Sequence, residues 1–145
     1  MPDYIIFVKV KAAVIRKAHF NAAHRLHNKH WSDQKNSEVF GACNNPNFHG
    51  HNYHLEVKVI GEIDPDSGYV IDLKMLKDII NAEVLERFDH RNLNEDTIEF
   101  RDKNPTAENI AAVIYELIRK KLDSKFELFI KLYETDRNVV EYPIP

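Results

Sequence analysis

The chain has 145 residues, enough for one hydrophobic core and too few for two, so residues 1–145 are expected to form a single domain. Its 20 Lys and Arg against 23 Asp and Glu leave a formal charge of -3, which excludes the global basic field of a nucleic-acid or anionic-membrane binder and requires any phosphate site to be local. One cysteine cannot close an internal disulfide, which excludes a secreted disulfide framework and points to the cytoplasm, while eight histidines raise the prospect of metal or proton chemistry.

From Ile5 to Leu26 the residues are β-rich, and one alternating register collects Val14, Ala18, Phe20, Ala22, His24 and Leu26, the period of two expected of a strand. The apolar run "IIFV", Ile5 to Val8, is far too short for a membrane span or signal core, so no membrane association is expected. A polar stretch, "HNKHWSDQKNSEVFGA", reads as a loop insertion with turn formers and a short helical turn, delivering the chain to Cys43. Alternation resumes at His51, with Tyr53, Leu55, Val57 and Val59 on one side of a half-buried antiparallel strand. "GEIDPDSG" supplies a turn, and "YVIDL" after it reads as a short return strand, making a hairpin.

Helical spacing follows. Leu73, Leu76, Ile80 and Val84 recur on one stripe, with Asp72 as N-cap and an end near Phe88. After a loop, "DHRNLNEDTIEFRDKN", Thr106 can cap a second helix bearing Ile110, Ile114, Leu117, Ile118 and Leu122. Phe126, Leu128, Ile130, Leu132 and Glu134 share one face of a final long strand, and "NVVEY" returns after the turn "TDRN". Strands, helix, helix, strands in that order predict an α+β domain with antiparallel pairing and helices covering one sheet face.

Several side chains break the apolar pattern in chemically suggestive ways. His49 and His51, two apart in an extended chain, point the same way, and His24 on the apolar register of another strand is the natural third imidazole. They are either three hydrogen-bonded histidines or the ligands of one ion. Cys43 would close the tetrahedron of a structural zinc as a fourth ligand; left free, it would leave the open position of a catalytic one; a third reading is a small buried hydrophobe. Asp89 and His90 read either as a helix end or as a carboxylate orienting an imidazole that polarises a thiol. Glu134 either escapes at its strand's end or accepts a planar, guanidine-like pair of N–H donors from a ligand.

The motifs "FNAAHRLH", "FGACNNPNFHGHNY", "GEIDPDSGYVIDL", "FDHRNLN", "PTAEN" and "YETDRN" occur in an order that resembles the 6-pyruvoyl tetrahydropterin synthase family over nearly the whole chain. The resemblance implies a T-fold: a four-stranded antiparallel sheet with two helices on one face, assembling into trimeric barrels that stack as a homohexamer. It also implies a zinc-dependent lyase converting 7,8-dihydroneopterin triphosphate to 6-pyruvoyl tetrahydropterin with release of triphosphate, in tetrahydrobiopterin synthesis. By position, His24, His49 and His51 look like the Zn²⁺ ligands, Cys43 like the base, Asp89 and His90 like its activating pair, and Glu134 like the pterin anchor. Thr106 and Glu108 match a segment lining the pterin pocket, and Arg25 and Lys29 are near enough in sequence to hold the triphosphate. "PTAEN" also resembles the 6-carboxytetrahydropterin synthases of queuosine synthesis, but the five residues between Cys43 and His49 resemble the pyruvoyl branch, and Cys43 argues against a branch that has glutamate there. A non-catalytic, zinc-stabilised binding module is the reading from another class.

Overall fold

The computed structural model describes residues 9–145, so the expected strand residues 5–8 lie outside the described part. In chain order the elements are β1 (Lys11–His24), α1 (Asp33–Phe40), β2 (His49–Glu62), α2 (Leu73–Ile80), α3 (Glu86–Phe88), β3 (Arg91–Asn92), α4 (Leu93–Asp96), α5 (Ala107–Arg119), β4 (Glu127–Tyr133) and β5 (Val139–Tyr142). A wide turn at Asn81–Leu85 joins α2 to α3, so the helical path runs on to Phe88 as expected.

β1 and β2 pair antiparallel over their full length, from Lys11 opposite Glu62 to His24 opposite His49. β4 pairs with the other edge of β2, and β5 returns against β4. Alternation then sorts the side chains: Phe20, Ala22, Tyr53, Leu55, Val57, Val59, Leu128, Ile130 and Leu132 are buried on one face. α2 and α5 cover that face with Leu76, Ile80, Ile110, Ile114 and Ile118, each withdrawn from water and contributing roughly 1.5–3 kcal/mol of transfer free energy. Asp72 Oδ1 accepts from the Lys74 N–H at 2.9 Å and Thr106 Oγ1 from the Asn109 N–H at 3.2 Å, so both expected N-caps are present.

Four features differ from the sequence expectation. "YVIDL" is not a strand: β2 already has β1 on one edge and β4 on the other, which leaves a returning strand nowhere to pair. Its residues instead close a loop, with the Asp64 carboxylate accepting from the Asp66 and Ser67 N–H groups and Ile71 buried as a plug before the Asp72 cap. The sheet has five strands, not four, because Arg91–Asn92 runs parallel to β1 beside Ala22 and Ala23. The insertion before Cys43 contains an eight-residue helix, α1, capped by Ser32, rather than a single turn. Finally, α5 stops at Arg119, short of Leu122, and the Arg119 guanidinium donates to the carbonyls of Leu122, Asp123 and Phe126.

Candidate metal centre and active site

The antiparallel register brings three imidazoles together at one end of the sheet. His24 is the last residue of β1 and lies opposite His49, the first of β2; His51 lies opposite Ala22 on the same face. Ring centroids are 4.5 Å apart for His24 and His49, 5.1 Å for His24 and His51, and 5.1 Å for His49 and His51. One ring nitrogen from each lies within 4.8 Å of the others, and no carboxylate or thiol among the described residues joins the set.

Hydrogen bonding favours the metal-site reading of this cluster. His24 Nε2, both ring nitrogens of His49 and His51 Nε2 are buried with no partner among the described residues. An unpaired buried polar group costs about 1–3 kcal/mol, so a merely structural trio leaves several such penalties standing, whereas a divalent ion removes them. His24 Nδ1–H donates to the Pro105 carbonyl at 2.7 Å, which fixes the tautomer and turns the Nε2 lone pair toward its neighbours. Burial, helped by His49 and His51 and opposed by the Pro105 bond, holds the His24 imidazole at about 4, below its ordinary 6.5. Burial and the neighbouring His51 lower His49 as well. Both shifts favour the neutral imidazole, the form that binds metal, and three histidines holding one ion would leave a coordination position open for chemistry.

The residue between His49 and His51 has a packing reason to be glycine. A Cβ on Gly50 would stand 3.1 Å from the Ala22 carbonyl oxygen and 3.7 Å from Ala23 Cα, both backbone atoms of β1. Gly50→Ala must push β2 off β1 between the ligands, and its metal affinity is expected to fall about 10- to 100-fold, the cost typical of disturbing a ligand's support. Chelator competition measures this; unchanged affinity would contradict it. Immediately before His49, Phe48 adopts the left-handed φ of 67°, as does His90 at 60°. Non-glycine residues in this region store strain and cluster at functional sites.

Cys43 lies in the single-turn helix Gly41–Asn44, half-buried and outside the ligand set. It and Glu134 are near enough to Tyr53 to reinforce the effect of burial in pushing that hydroxyl up. The Tyr53 hydroxyl is itself 3.4 Å from His24 Nδ1, which places it against the histidine cluster. Glu134 sits just past the end of β4 with its carboxylate 3.8 Å from His51 Nε2, each side chain 19% exposed. It turns inward rather than escaping.

Asp89 and His90 pair with each other, Asp89 Oδ2 lying 3.0 Å from His90 Nδ1. The Asp89 carboxylate also accepts the Asn21 N–H at 2.9 Å, and that bond foremost, with His90, holds it below the usual carboxylate range. The His90 side chain is 84% exposed, and no hydrogen bond or ion pair among the described residues joins the pair to Cys43. Thr106 spends its hydroxyl on capping α5, and Glu108 is exposed in that helix's first turn. Arg25, His27, Lys29, Arg101 and Lys103 line a cleft of about 390 Å³ that reaches Pro105, the residue holding His24. Lys29 makes only an exposed pair with Asp102 at 3.7 Å, too weak to neutralise the cleft. Sequence reading could not find Pro105, which acts through its backbone carbonyl, and it passed over Tyr53 as one more member of an apolar register.

Comparison with known proteins agrees with this geometry. Residues 13–144 match the family described as 6-pyruvoyl tetrahydropterin synthase. The human 6-pyruvoyl tetrahydrobiopterin synthase is 43% identical over 134 residues, covering 92% of each chain. The solved structure of the Caenorhabditis elegans 6-pyruvoyl tetrahydropterin synthase superposes with a TM-score of 0.89 at 40% identity, covering 94% of this chain and 98% of that one. A dihydroneopterin monophosphate aldolase of Pyrococcus furiosus is 40% identical over 119 residues, 82% of this chain and 85% of its own. With three histidines that could hold a metal ion at the meeting of two long strands and a match spanning nearly all its length, the chain belongs to the 6-pyruvoyl tetrahydropterin synthase family.

Proposed function

We propose that the chain is a zinc-dependent lyase that takes 7,8-dihydroneopterin triphosphate to 6-pyruvoyl tetrahydropterin and releases triphosphate. The observation that carries this reading is the three-histidine cluster with orphaned nitrogens, a set that does not include Cys43. Zn²⁺ held by His24, His49 and His51 would supply Lewis-acid polarisation of substrate hydroxyls, making neighbouring protons easier to remove. Cys43 moves those protons as a thiolate. Glu134 accepts two parallel N–H bonds from the guanidine-like edge of the pterin, orienting the side chain toward the thiol. Thr106 and Glu108, on the far side of Pro105, complete the pterin pocket. The basic cleft beside Arg25 and Lys29 receives the triphosphate.

Asp89 and His90 lie beside Asn21 on the side of β1 that β3 borders, and there they serve Cys43 of a neighbouring subunit in a trimeric barrel paired into a homohexamer. Such an assembly covers the sheet's edges, which are otherwise templates for aggregation. No helix among the described residues is long and apolar enough to cross a membrane. Cytoplasmic residence belongs to the same proposal, supported by a lone cysteine that has no partner for an internal disulfide.

A carboxylated product remains the nearest rival, and the spacing of Cys43 from His49 favours the pyruvoyl one. A binding module without chemistry is disfavoured by the ligand set, which leaves a coordination position open. Glu134→Ala tests the pterin anchor. Losing a bidentate, charge-assisted contact is expected to weaken pterin binding at least ~10-fold, with metal content unchanged. Titration with a non-reacting pterin reads the effect, and unaltered affinity would remove Glu134 from the site.

A further inference from the structure

The segment that leaves the metal ligand His24 runs beside the turn carrying Cys43, and the two are stitched together outside any regular sheet. The Leu26 N–H donates to the Cys43 carbonyl at 2.9 Å, and Arg25 Nε–H donates to the Asn44 carbonyl at 2.8 Å. Asn44 Nδ2 donates to the Leu26 carbonyl at 2.7 Å and lies 2.9 Å from His27 Nδ1. A carboxamide nitrogen carries two hydrogens, so one side chain serves both acceptors. Together the Leu26–Cys43 and Asn44–Leu26 bonds copy the double bridge of an antiparallel pair, with a side chain standing in for the second backbone donor.

The remaining backbone groups of this segment are held by three other amide side chains. Asn94 brackets Arg25, accepting its N–H at 2.8 Å and donating to its carbonyl at 2.9 Å. Asn104 accepts the His27 N–H at 3.2 Å, and Asn36 brackets Asn28. Residues 25–28 are thus a rail leading from a metal ligand, fixed on every side by amide side chains. Of those amides, Asn44 alone is a neighbour of Cys43 in sequence and ties its turn to the rail.

We propose that Asn44 is a positioning residue, setting the Cys43 thiol at a fixed place relative to the three histidines; this rests on the reading of Cys43 as the base. The competing role is a polar turn residue that only stabilises the fold. A structural role would cost stability without altering the thiol, whereas a positioning role alters the thiol itself.

The test uses metal-loaded protein and two variants: Asn44→Ala, which removes the donor, and Asn44→Asp, which keeps the shape but aims an acceptor at the Leu26 carbonyl. Because Cys43 is the only cysteine, iodoacetamide reports on this thiol alone. Both variants are expected to retain metal, to lose roughly 10- to 100-fold in kcat with KM changed less than about threefold, and to shift the pH profile of alkylation. In a Cys43→Ala background, adding Asn44→Ala should lower kcat by less than about twofold, since a residue acting through the thiol has nothing left to position. A folded variant with kcat and alkylation profile within about twofold of the parent overturns the proposal, as does an undiminished second loss in the Cys43→Ala background. Should Asn44→Ala fail to fold, the isosteric Asn44→Asp decides by the same readings. The alkylation profile judges the clasp without any turnover, whereas a Cys43→Ala protein that kept its turnover would strike at the base assignment instead.

Discussion

His24→Ala is expected to yield folded protein that carries no metal after dialysis. His24 is the most buried of the trio, 1% exposed, and its ring alone is locked by a short bond to the Pro105 carbonyl. Removing a hydrogen-bond partner of a ligand typically costs about 10- to 100-fold in affinity, so removing this preorganised ligand should cost more than ~100-fold. Elemental analysis with circular dichroism checks the result; full metal content in folded protein would remove His24 from the site. The same chemistry sets a pH dependence. With the folded His24 at about 4 and the unfolded side chain at 6.5, the unfolded chain binds more protons between those values. The His24 contribution should therefore make the metal-stripped protein less stable as pH drops from 6.5 toward about 4, read as a urea midpoint that declines more steeply over this range than in His24→Ala.

Cys43→Ala should bind metal and substrate and yet turn over ~10²- to 10⁴-fold more slowly, the usual worth of a positioned general base. Metal binding survives because the sulfur is not among the ligating atoms. Substrate binding survives because Glu134 and the basic cleft are untouched. A loss in kcat with little change in KM is the signature of a group acting in the transition state. Near-normal turnover would refute the assignment, and loss of metal together with activity would make the thiol a ligand.

What could be read in the residues alone follows from periodicity. Alternation in β1, β2 and β4 placed His24, His49 and His51 on one face, because side chains two apart on paired strands must share it. Helical spacing and the caps Asp72 and Thr106 located the covering helices. "YVIDL" misled because strand composition says nothing about whether a free edge exists, and both edges of β2 were occupied. β3, at two residues, is too short to leave a periodic signal. Within the site, Pro105 and the Asn44 clasp act on or through backbone carbonyls, which no residue pattern announces. Asp89 and His90 were found as a pair, and the link to a thiol of a neighbouring subunit proposed for them is one that a single chain's pattern cannot contain.

The most direct measurement is to supply 7,8-dihydroneopterin triphosphate to the zinc-loaded protein and identify the products by mass. Stoichiometric 6-pyruvoyl tetrahydropterin with free triphosphate is the predicted outcome. A 6-carboxylated pterin, a cleaved side chain with its phosphate ester intact, or unreacted substrate would contradict it.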